Sequence, residues 1–279
     1  NENNNNNKVS INPLDKLLRK QKNDTKWLKK KNVFKCSLTQ GRSVTSIDFC
    51  KTNRDWFLVS YGLKYDNGVR SYNNEYDGMI TIWNTILPTY PEYILKSNDM
   101  ITIAMFHPRN PKLIYGATIN GSILQFDFRS KLEPVMQSKF DSGHSSPVFK
   151  IDFLPTVNSK VNHILSISND GKMCTWREDL DKNKERKLDK KGKIIDNFNR
   201  FEPSNDIELK PDDNGARQID LSTTCFGYPF KDSNLLVIGS DEGNLYKIDN
   251  YQQISQSKLN IKNTINNAHY GPITNIDFL

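Results

Sequence analysis

Residues 169–176 read NDGKMCTW. A turn signal opens the run, alternating residues follow, and an indole closes it five positions after Gly171. Asp-Gly supplies the positive φ of a tight two-residue hairpin turn, and the alternation beyond it is that of a half-buried strand. The same offset of five recurs along the chain: Gly78 to Trp83 in DGMITIWN, Gly121 to Phe126 in NGSILQFD, Gly243 to Ile248 in EGNLYKID. The decisive stretch is therefore one copy of a repeated hairpin.

A second motif lies upstream of each turn: an aliphatic residue, a small or aliphatic one three later, then Phe two after that. Its copies are VTSIDF (Val44 to Phe49), ITIAMF (Ile101 to Phe106), VFKIDF (Val148 to Phe153), LSTTCF (Leu221 to Phe226) and ITNIDF (Ile273 to Phe278). Their starts are separated by 57, 47, 73 and 52 residues. Between the two motifs runs an apolar strand: DWFLVSYG, KLIYGATI, HILSISND or NLLVIGSD. A three- or four-stranded antiparallel unit repeating at about 40–50 residues is the signature of a β-propeller blade. The fold class expected is all-β: a propeller with four complete blades and the start of a fifth, cut inside the ring. A closed four-blade ring is disfavoured because the fifth copy would be left over. The long spacings trace to two expected insertions, at about 62–76 and 177–214. The second holds the charge-dense run REDLDKNKERKLDKKGK, whose composition cannot bury enough apolar surface to offset ordering and reads as a mobile loop.

Composition narrows the function classes. Of 279 residues, 36% are apolar and 10% aromatic, enough to build a sizeable core. No apolar run reaches the roughly 18 residues of a membrane-spanning helix, and NENNNNNKVS lacks the apolar centre of a secretory signal. The four cysteines form no CxxC pair and read as reduced thiols rather than a zinc site or disulfide frame. The net charge of +7 resides in residues 1–35, with ten Lys/Arg against three Asp/Glu; the other 244 residues carry 29 of each sign. Residues 1–35 are thus a basic, Asn/Lys-rich arm, expected to be disordered or a linker, and 36–279 the propeller region. A nucleic-acid reader would carry its basic stripe on the fold, so no nucleic-acid partner is expected.

At this point the residues resemble a known family. YDGMITIWN with PEYIL, INGSILQFDFRS, HSSPVFKIDF, SISNDGKMCTW, VIGSDEGNLYKI and AHYGPITNIDF together resemble the WD-repeat propeller of dynein intermediate chains, over roughly Val44 to Leu279. The sheet-ending Asp of the repeat stands only at Asp127 and Asp249, and the first and third units are expanded. DGKMCTW and HYGPITNIDF lean toward the cytoplasmic class, which implies a cytoplasmic, microtubule-associated location; SYGLKYDNG also suits an axonemal chain. The resemblance implies a non-catalytic scaffold subunit of the dynein motor that binds the heavy-chain tail. Light chains and dynactin would be bound by an N-terminal region expected to lie outside this sequence, and at most LDKLLRKQ (Leu14 to Gln21) belongs to the linker leading into the propeller. A WD-repeat adaptor of another assembly is the alternative, since a propeller is a platform with many uses.

The resemblance also implies a structural hydrogen-bond network of His144, Ser168, Asp170 and Trp176. A Ser/His/Asp triad is the rejected reading, because no GxSxG elbow accompanies the residues and His269 recurs at the same position as His144. No metal or nucleotide motif is present, and no cofactor is expected. Gly78, Gly121, Gly171 and Gly243 are the expected hairpin turns. Arg70, Tyr72, Tyr76, Arg109 and Arg129 are the residue types that anchor interfaces and are the expected partner contacts. DSGHSS has the spacing of a phosphorylation-dependent degron, with Ser142 and Ser146 as the sites.

Overall fold

The computed structural model describes residues 31–66, 68–70, 76–138, 143–154, 163–178, 199–201, 203–211, 221–229, 235–249, 258–261, 263–265 and 268–278. The chain divides into two units, Asn1–Phe34 and Lys35–Leu279. Of the first only residues 31–34 are described, so the basic arm and its helical-looking LDKLLRKQ lie outside the described residues. The second is all-β, and among the described residues it contains no helix.

Four sheets follow one another along the chain. Sheet I holds β1 (Arg42–Phe49), β2 (Trp56–Asp66), β3 (Val69–Arg70), β4 (Gly78–Asn84) and β5 (Tyr93–Ser97). Sheet II holds β6 (Ile101–Phe106), β7 (Leu113–Thr118), β8 (Ile123–Asp127) and β9 (Met136–Ser138). Sheet III holds β10 (Val148–Phe153), β11 (His163–Ser168), β12 (Lys172–Arg177) and, beyond β13 (Asn199–Phe201), β14 (Pro203–Pro211). Sheet IV holds β15 (Thr223–Gly227), β16 (Leu235–Ser240), β17 (Leu245–Asp249) and, beyond β18 (Lys258–Ile261), β19 (Asn263–Ile265). Each is built on an antiparallel meander of four strands, to which sheet I adds β3, paired with the end of β2. The short β13 and β18 instead add in parallel to the outer strands of the preceding sheets, β9 and β14. The expected loop over 177–214 thus needs correction at its far end, where β14 supplies the outer strand of sheet III. The alternation SNDIELKP puts Ile207 and Leu209 into the core, which a charged loop could not do.

Sheets meet face to face at three apolar seams. Leu58, Ile80, Ile82 and Leu95 of sheet I pack on Ile101, Phe106, Ile114 and Phe126 of sheet II. Tyr115, Ala117 and Ile123 on the opposite face of sheet II pack on Val148, Ile151, Ile164 and Trp176 of sheet III. Leu165, Ile167, Met173 and Ile207 then pack on Phe226, Leu236, Ile238 and Ile248 of sheet IV. A sheet covered on both faces needs apolar residues at successive positions, which is why all six residues of β7 are buried. The inner strands β1, β6, β10 and β15 are neighbours across these seams, the arrangement of a partial WD-repeat propeller.

Three details of register differ from the sequence-based expectation. The ladder of each inner hairpin skips a residue, at Thr45, Thr102, Phe149 and Thr224, and that of β1 and β2 shifts a second time between Arg42 and Val44. Thr223 therefore stands where Ile101 and Val148 stand, and the fourth inner motif is TTCFGY (Thr223 to Tyr228), two residues beyond LSTTCF. Leu221 and Phe226 are both buried, so apolarity suited either frame and backbone pairing decided between them. Second, the turns containing Gly121, Gly171 and Gly243 span three residues rather than two: Thr118 pairs with Ser122 and Ser240 with Asn244, each leaving one positive-φ glycine. Third, residues 273–278, expected to open a fifth unit as a strand, form none among the described residues. They lie along sheet IV, with Ile273 N donating to Ser240 O at 3.1 Å.

Candidate functional site

The residues around NDGKMCTW form a closed polar chain at the seam of sheets II and III. Trp176 Nε1 donates to Ser166 Oγ at 2.7 Å, Ser166 Oγ lies 2.7 Å from His144 Nε2, and His144 Nδ1 lies 3.3 Å from Asp170 Oδ1. With Nδ1–H donated to the carboxylate, Nε2 is left to accept the serine hydroxyl. Asp170 also accepts the amides of Ser145 (2.9 Å) and Lys172 (3.0 Å). Burial alone would push its carboxyl up; the His144 contact and these two amides outweigh it and hold the group below the usual aspartate range. The network therefore uses Ser166, correcting the expected Ser168. Ser168 donates instead to Ser146 O at 2.9 Å. The two serines share a face of β11, but Ser166 faces Cys174 in register, within reach of the Trp176 indole, whereas Ser168 ends the strand beside the β10 entry.

Ser166, His144 and Asp170 thus have the connectivity of a hydrolase triad, yet Ser166 is fully buried and its oxygen takes the indole N–H. An oxygen so committed has no path to a substrate. The group fixes a hairpin, as buried polar groups with complete partners do. Sheet I does the same with other residues: Trp83 Nε1 donates to Thr81 Oγ1 at 2.7 Å.

Three of the four repeated glycines, Gly78, Gly121 and Gly243, have one shared reason for their identity. A Cβ on Gly121 would stand 2.4 Å from the His144 carbonyl oxygen, and one on Gly243 2.1 Å from that of His269. Gly78 meets the Asp99 carbonyl in the same way, at 2.1 Å. It is the first residue of β4 and has no positive φ, so its expected role as a hairpin turn is corrected: the φ +83° residue of that unit is Gly68, where the longer β2 folds back on β3. What recurs at Gly78, Gly121 and Gly243 is close passage of the incoming chain.

A second buried chain had no signal in the sequence. His107, Tyr115, Gln125 and Glu178 converge from the β6–β7 loop, β7, β8 and the residue after β12. His107 Nε2 lies 3.0 Å from Glu178 Oε2, Tyr115 donates to Glu178 Oε1 at 2.5 Å, and Gln125 Nε2 donates to the Tyr115 oxygen at 2.7 Å. Burial first, and the Glu178 charge second, push the Tyr115 phenol well above its ordinary value. Glu178 follows the strand in a run dense in charge, where one inward-facing carboxylate looks like its neighbours.

The expected partner contacts do not share one surface. Arg70 pairs with Asp77 at 2.9 Å, and Tyr76 lies under Lys96 Nζ, 4.5 Å from the ring centroid, at the end where β2 meets β3. Arg109 is exposed in the β6–β7 loop, and Arg129 chelates Asp127 (2.6 and 2.9 Å) at the opposite end, where Leu113 faces Asp127. Ser146 is half-buried; Tyr72 and Ser142 lie outside the described residues. Among the described residues no His/Cys/Asp/Glu group is placed to hold a metal, all four cysteines are free thiols, and no helix is long and apolar enough to cross a membrane.

Sheets, seams and the His144–Trp176 chain define the class: a WD-repeat protein. Its particular similarity is to dynein intermediate chains. The family described as Dynein axonemal intermediate chain 3 WD40 domain matches residues 59–168. The chain is 28% identical over 236 residues to the cytoplasmic dynein 1 intermediate chain of Drosophila melanogaster, covering 81% of this chain and 30% of that protein. It is 26% identical over 223 residues to dynein axonemal intermediate chain 4 of Xenopus laevis, covering 77% of this chain and 28% of that one. The chain thus spans less than a third of the length of these relatives. These similarities support a WD region of the dynein intermediate-chain type.

Proposed function

We propose that this chain is a non-catalytic scaffold within a dynein motor, its sheets forming a platform that binds the heavy-chain tail and helps connect the motor to cargo and adaptors for microtubule-based movement. Similarity to a dynein intermediate chain across 236 residues carries the reading. The burial of Ser166 supports a structural use of the Ser166–His144–Asp170 constellation. The heavy chain docks on the end carrying Arg109 and Arg129, where strand-to-strand loops of sheet II lie side by side. Light chains and dynactin bind elsewhere in the full-length protein, and the location is cytoplasmic and microtubule-associated. Affinity purification of the full-length protein from cells should co-purify a dynein heavy chain, and Arg109→Glu should reduce its recovery severalfold. Purification free of heavy chain would overturn the proposal.

The axonemal class is the second reading, favoured by the family match over residues 59–168. Localisation of the tagged protein decides: an axonemal signal with none along cytoplasmic microtubules selects it.

A further inference from the structure

The His107 ring is held from both sides. Its Nδ1 lies 3.1 Å from the Arg109 amide and 2.7 Å from the Asn110 amide, and both of these can only donate. Nδ1 must therefore present a lone pair, which puts the ring hydrogen on Nε2, and Nε2–H then points at Glu178 Oε2. Gln125 donates to Tyr115, which directs the phenolic hydrogen at Glu178 Oε1. The carboxylate thus accepts from two buried donors carried by sheet II, although Glu178 itself follows the last residue of β12 in sheet III. His107 occupies the opposite tautomer from His144, whose Nδ1 faces a carboxylate.

We propose that Glu178 is a latch through which the end of β12 sets the shape of the neighbouring sheet's rim loop. The carboxylate fixes the His107 tautomer, the tautomer gathers the Arg109 and Asn110 amides, and the loop 107–112 is thereby held with Arg109 outward. Rearrangement of the chain at Glu178 is felt at a surface on the adjacent sheet, which makes the rim of sheet II responsive to what happens at the start of the charged run following β12. This coupling needs no motor partner, so its test is independent of the proposed function.

Nitrogen-15 NMR of the ring in the intact 279-residue chain should show His107 as the neutral Nε2–H tautomer; the Nδ1–H form would overturn the latch even if no variant folds. Glu178→Gln brings an amide N–H to the point where two donors converge. It should raise hydrogen exchange at the Asn110 amide about tenfold while β6–β7 ladder amides keep their protection. Tyr115→Phe removes the other arm and should leave Asn110 within about twofold of the parent. Unchanged exchange in Glu178→Gln, or an equal rise in Tyr115→Phe, would reduce Glu178 to general seam packing and overturn the proposal.

Discussion

At the scale of single residues, charge inside the seam is what the WD-type chain controls. Asp170 is nearly enclosed and held below the ordinary aspartate range, chiefly against the cost of burial, by His144 and two backbone amides. A carboxyl whose folded pKa is depressed stabilises the fold above its unfolded pKa, about 3.9, and loses that contribution as pH falls through the folded value. Asp170→Asn should therefore lower stability at pH 7 by about 1–2 kcal/mol. The gap to the parent should narrow as pH drops below about 4, read by chemical denaturation across pH. A gap independent of pH would mean the side chain acts by shape alone. The turn sequence made Asp170 and Trp176 legible, because Asp-Gly and an indole at fixed offset are chemical signals. The serine was misassigned for a physical reason: alternate residues of a strand share a face, and only cross-strand register distinguishes Ser166 from Ser168. The contact between Glu178 and His107 was not legible, since it joins residues 71 apart on two sheets; a loop-capping role for His107, beside a turn, was.

At the scale of elements, the repeated hairpin was legible because turn chemistry and alternation agree. What the sequence could not separate is a glycine needed for its dihedral from one needed for its size. Gly121 and Gly68 have nearly the same φ, +85° and +83°, but a Cβ on Gly121 meets the His144 carbonyl oxygen at 2.4 Å while one on Gly68 meets nothing within 4 Å. Gly68→Ala should cost about 1 kcal/mol, the penalty of a left-handed alanine. Gly121→Ala adds a backbone collision that the β7–β8 turn cannot relieve without moving the β10 entry, and should cost at least about 3 kcal/mol. Thermal unfolding of the two variants checks the difference. Equal losses would show that passage of the incoming chain does not select glycine there. The slip in the fourth inner motif has a related origin: Leu221 and Phe226 are apolar in either frame, and only the skipped residue at Thr224 marks the true one.

At the scale of the molecule, the seams show that the same inner-strand positions are used each time. In sheet III, Val148, Ile151 and Phe153 pack toward the preceding sheet, and Val148 and Ile151 are at most 2% exposed. Their counterparts in sheet I are Val44, Ile47 and Phe49, with 54%, 59% and 63% of their surface open. Three large apolar side chains in line on one strand form a strip of the kind that seeks cover. Periodicity revealed that these positions point to a common face, but whether a face is covered depends on neighbours that no local pattern contains. The 279-residue chain should therefore associate with itself through this strip. Because the side chains are largely exposed, replacing both Ile47 and Phe49 by Thr should cost only about 1 kcal/mol, most of it the ring contact of Phe49 with Phe57 at 5.7 Å, while preserving strand propensity. Sedimentation velocity over a concentration series should show larger species for the parent and a monomer for the double variant. Identical sedimentation of the two would mean that the strip is already satisfied by contacts within the chain.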